Sequence, residues 1–85
     1  MTTEFNAADL LEVAENQIAD GEPLLVKETL MRLMMTGHSR EQALELICCA
    51  LSVEFTAIVE HNGSFDLARY SNSLKQLPEV PWLEE

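Results

Sequence analysis

Hydrophobic residues recur at intervals of three and four along most of the chain, and glycines and prolines break that rhythm at a few points. Gly21 with Pro23, then Gly37, then Asn62 with Gly63, then Pro78 and Pro81 divide it into four segments and a tail. The first segment, about residues 6–20, starts at Asn6 as N-cap, carries Asp9 in its first turn and repeats Leu10, Val13, Ala14 and Ile18 at helical spacing. Gly21 ends it. The second, about 23–36, has Pro23 at the first helical position and Gly37 just past the end, the asymmetry expected of helix termini. Val26, Leu30, Leu33 and Met34 form its expected inner stripe.

The third segment, about 40–61, opens on Ser39-Arg40-Glu41-Gln42, an S-x-x-Q capping box in which the Ser39 hydroxyl and the Gln42 amide each satisfy a free backbone N–H. Leu44, Ile47, Leu51, Phe55 and Ile58 then step by three and four, while Glu41, Glu45, Cys49, Ser52, Thr56 and Glu60 follow the opposite stripe. That pattern predicts one long amphipathic helix. A shorter fourth helix, about 66–76, follows with Ser64 or Asp66 as cap and Tyr70, Leu74 and Leu77 on one face. No alternating run remains to build a sheet. The expected fold is therefore all-α, a single domain over 1–85 forming a three- to four-helix bundle with an extended Pro-Trp tail at 77–85.

Composition sharpens this picture in two ways. With 85 residues there is room for one module, which buries only about 60 to 65% of its unfolded surface and gains from a partner or second copy covering part of it. The net charge of −10 argues against nucleic-acid binding, because Lys27, Arg32, Arg40, Arg69 and Lys75 are scattered singly where phosphate recognition needs clusters. Residues 1–26 contain six carboxylates and no cation, so they favour a basic partner surface. No signal-peptide pattern precedes the helices, and no apolar run approaches the ~18 residues of a membrane span. Two cysteines in one helix make no disulfide framework, which agrees with a reducing, cytoplasmic setting.

Candidate chemistry is sparse. His38 and His61 flank the third helix, 23 residues and roughly 34 Å apart, and cannot share an ion. Cys48 and Cys49 are adjacent and lack the spacing of zinc or redox sites, so no metal and no cofactor is expected. Glu45 and Cys49 share a helix face, which makes Cys49 the candidate reactive thiol of an alternative reading, a cysteine-based redox sensor or enzyme. No Ser or Cys stands in a nucleophile motif, and three isolated glycines make no phosphate-binding loop. What remains is surface. Met31 and Met35, one turn apart on the second helix, are candidates for an adaptable apolar patch, and Trp82 in the tail either packs as a lid or binds a partner groove.

In its Gly37-His38-Ser39-Arg40-Glu41-Gln42-Ala43-Leu44 helix start, its Phe65-Asp66-x-x-x-Tyr70 start and its Leu77-Pro78-x-x-Pro81 ending, the chain resembles small helical bacterial proteins. The resemblance covers about residues 24–82 and rests on capping and packing signals. It implies a stand-alone or appended cytoplasmic helical module and carries over no catalytic residue. The expected function is a non-enzymatic protein-interaction module, self-associating as a homodimer or binding a protein partner through Met31, Met35 and Trp82. A second alternative is an acidic inhibitor of a basic or nucleic-acid-binding protein.

Overall fold

The computed structural model describes residues 7–61 and 63–80, the side chains of Ala7 and His61 excepted. Asn6, the expected first cap, and Trp82 lie outside the described residues, as does the imidazole of His61. Four helices follow one another, α1 (Ala7–Asp20), α2 (Leu24–Met35), α3 (Arg40–His61) and α4 (Leu67–Gln76), and no strand occurs among the described residues. The protein is an all-α bundle.

Local chemistry sets most of the helix ends. At the start of α3 the Ser39 N–H donates to Gln42 Oε1 at 3.0 Å and the Gln42 N–H donates to Ser39 Oγ at 3.1 Å, completing the capping box. Asp66 caps α4 by accepting from the Arg69 N–H at 3.0 Å. The end of α2 is a Schellman turn: the Gly37 N–H reaches the Met34 carbonyl and the His38 N–H the Leu33 carbonyl. Gly37 holds φ at +108°, a conformation that L side chains rarely adopt. His38 adds a bond from Nδ1–H to the same Leu33 carbonyl, so it is a cap residue beside the turn. Pro23 sits one residue earlier than expected, as the N-cap, with extended backbone.

α3 is the hub, in contact with the other three helices; α2 touches α1 and α4 as well. Leu10 and Ala14 of α1, Val26, Leu30 and Leu33 of α2, Leu44, Ile47 and Leu51 of α3, and Tyr70, Leu74 and Leu77 around α4 form one buried cluster. Fully burying a side chain of this size stabilises by about 1.5–3 kcal/mol relative to exposure. Two expectations need correction. Met34 is 44% exposed, because the buried face of α2 centres on Val26, Thr29, Leu30 and Leu33 and Met34 lies at its margin. Ile58 is 39% exposed, since α3 has 22 residues and its partners have 14, 12 and 10.

The single-stripe view of α3 was also too narrow. A hub helix must be apolar on several sides, and Ala43, Ala50 and the Glu54 carboxylate are buried beside the expected stripe. For the same reason Arg40–Glu60 is long and apolar enough, by length and composition, to cross a membrane, contrary to the expectation that no run comes near that limit. A third of that stretch is buried against the other helices.

Candidate functional site

Arginines make several of the side-chain links between helices. Arg32 of α2 donates to the carbonyls of Leu74 at 3.0 Å and Leu77 at 2.9 Å, placing a cation on the C-terminal end of α4, where the helix dipole favours it. Glu54 of α3 is fully buried and accepts from Arg69 Nε at 2.7 Å, Arg69 Nη2 at 3.0 Å and the Asp66 backbone N–H at 2.9 Å. The forked geometry and the third donor satisfy a carboxylate that burial alone would penalise. Across the bundle the Tyr70 hydroxyl donates to Gln17 Oε1 at 2.8 Å, and the Tyr70 ring meets Phe65 edge to face at 5.3 Å. Glu54 went unnoticed in the sequence. Its one local signal is a carboxylate seven residues beyond Ile47, at the margin of an apolar stripe.

On its other side α3 meets α1 along an open groove of about 760 Å³. Leu10, Leu11, Leu44 and Cys48 contribute apolar surface, and Glu15, Arg40, Glu41 and Glu45 bring charge to it. Glu15 and Arg40 pair across the two helices at 2.8 Å, both well exposed. The hydrogen bond from Arg40, reinforced by its charge and only partly offset by burial, holds the Glu15 carboxyl below its ordinary value. Leu11 is exposed in this groove, next to the buried Leu10; the Leu10-Leu11 doublet was the available sign that α1 is apolar over more than one narrow stripe.

Both cysteines line the groove, half-buried and unpaired in any disulfide. Burial, with the neighbouring Cys49 and carboxylates adding to it, pushes the Cys48 thiol up to about 11. Burial and Glu45 push the Cys49 thiol up as well. Both effects oppose thiolate formation, the reverse of what an activated nucleophile needs. Among the described residues no group of three or more His, Cys, Asp and Glu side chains is placed to hold a metal ion.

The third surface is the outer side of α2. Met31 is 54% and Met35 84% exposed, and Met34 and Leu24 join them. At 100° per residue these four side chains fall on one broad face opposite Val26 and Leu33, interrupted by Lys27 and Glu28. The structure therefore separates the two sequence candidates it describes: Met31 and Met35 stand together on the exposed side of α2, and Cys49 lies in the α1–α3 groove. No protein-family model, no curated protein and no solved structure matches the chain.

Proposed function

We propose that the protein is a non-enzymatic interaction module that self-associates through the outer face of α2. The observation that carries this reading is the exposure of Leu24, Met31, Met34 and Met35 on one side of one helix. Exposed apolar groups clustered on one helix face mark protein contacts, and unbranched methionines adapt to the facing side chains. Charge opposes a second copy least at this face. A chain of net charge −10 repels itself at most of its surface, but α2 carries Lys27 and Arg32 against Glu28 alone. The reading involves no cofactor, no membrane and no direct nucleic-acid contact, and it places the protein in the cytoplasm.

Sedimentation equilibrium tests it. The native chain is expected to be a reductant-independent dimer, and replacing Met31 and Met35 together by Gln is expected to raise the dimer dissociation constant at least about tenfold with unchanged helical circular dichroism. Association that ignores the double substitution removes the α2 face from the account. The competing redox reading predicts fast alkylation of Cys49 at neutral pH. The raised thiols predict the opposite: slow alkylation at pH 7.5 in the folded chain, accelerating as the pH rises and on unfolding.

A further inference from the structure

We infer that the α1–α3 groove is a docking site for a basic amphipathic helix of another protein, about three turns long. Three features set the size and chemistry of the occupant. On α3 the groove is lined by Arg40, Glu41, Leu44, Glu45, Cys48, Cys49 and Ser52, paired rows one turn apart that extend about 18 Å along the helix. That length matches a helix of about 12 residues. The apolar groups, Leu10, Leu11 and Leu44 with the half-buried thiols, suit side chains repeating at i, i+3, i+4 and i+7.

The sign of the charge comes from which carboxylates are already engaged. Glu15 is held by Arg40, whereas Glu41 and Glu45, both exposed, form no ion pair among the described residues. The facing helix has the same sign: α1 carries Asp9, Glu12, Glu15 and Asp20 and no Lys or Arg. Lysines and arginines flanking the partner's apolar stripe would meet this rim. Two nearer occupants have the wrong charge. The chain's own end carries Glu79, Glu84 and Glu85, and a second copy brings a net charge of −10. The site is separate from the α2 face, so either can fail without the other.

The experiment uses the full chain and, as probe, an amidated peptide of about 14 residues with leucines at helical spacing and lysines elsewhere; a matched peptide has glutamates in place of the lysines. Titration followed by calorimetry should show binding of the lysine peptide alone, weakening as salt is added. Glu45→Lys should raise its Kd at least about tenfold. Glu60→Lys makes the same charge change on α3 outside the groove and should raise it less than about twofold. Seated peptide should slow alkylation of Cys48 and Cys49, and the Met31→Gln, Met35→Gln double variant should bind as the native chain does. Equal weakening by Glu60→Lys and Glu45→Lys, thiols left unprotected, or equal binding of the glutamate peptide would each overturn the proposal. The thiol readout on the native chain stands even if Glu45→Lys fails to fold.

Discussion

Two glutamate–arginine pairs bracket α3, and they differ in nearly everything except their chemistry. Glu54–Arg69 joins α3 to α4 through a fully buried carboxylate with three donors, at the turn that starts α4. Glu15–Arg40 joins α1 to α3 with both partners about half exposed, and beside it the helices leave a groove. The contrast shows how burial decides what an ion pair does. The buried pair must be fully satisfied, so it fixes the geometry of α3, α4 and the loop between them. The exposed pair is screened and contributes little to folding, so its surroundings are free to serve a partner.

Breaking the buried pair should have the largest effect. Arg69→Met leaves the Glu54 carboxylate buried with a single backbone donor, and it should lower Tm more than Glu54→Gln does, because the arginine left behind in the second variant can reach water. Glu54→Gln itself is expected to cost about 2 kcal/mol from lost charge-assisted bonds, roughly 10 °C in Tm for a domain of this size. Equal melting of the two variants would contradict the asymmetry. Removing the α4 cap by Arg32→Met should follow at about 1.5 kcal/mol, read by the same thermal scan.

The smallest effect belongs to the exposed pair. Glu15→Gln should barely move Tm at pH 7, and its signature is in the pH dependence. A carboxyl whose folded value is lowered stabilises the fold above its ordinary value of 4.5, and that contribution is lost as the pH falls below 4.5 through the lowered value. The native chain should therefore lose slightly more Tm than Glu15→Gln on acidification below pH 4.5. A Tm loss at pH 7 as large as that of Glu54→Gln would erase the comparison between the two pairs.

The features legible in the sequence were those written within a few residues. Ser39 and Gln42 are three apart, so the capping box needs no tertiary information, and the Gly37 turn and the Tyr70, Leu74, Leu77 face follow from local spacing alone. Features set by how helices meet were not legible. Glu54 and Arg69 are 15 residues apart and Glu15 and Arg40 are 25 apart, and neither separation has a helical meaning. Met34 was misplaced because α2's buried arc is set by where α1, α3 and α4 lie around it. The same holds for the groove, whose two walls come from segments about thirty residues apart. Met31 and Met35 could be singled out because a helix apolar around more than half its circumference must leave some of that surface outside a small core.

The central claim is that the outer face of α2 covers itself with a second copy. Dilution of a chain carrying 13C-labelled methionine methyls tests it directly, because methyl resonances report burial at the site itself. The account predicts that the signals of Met31, Met34 and Met35 shift together along one concentration-dependent curve with the midpoint given by sedimentation. Methyl signals of these three residues that stay fixed over a range in which the chain passes from dimer to monomer would contradict it.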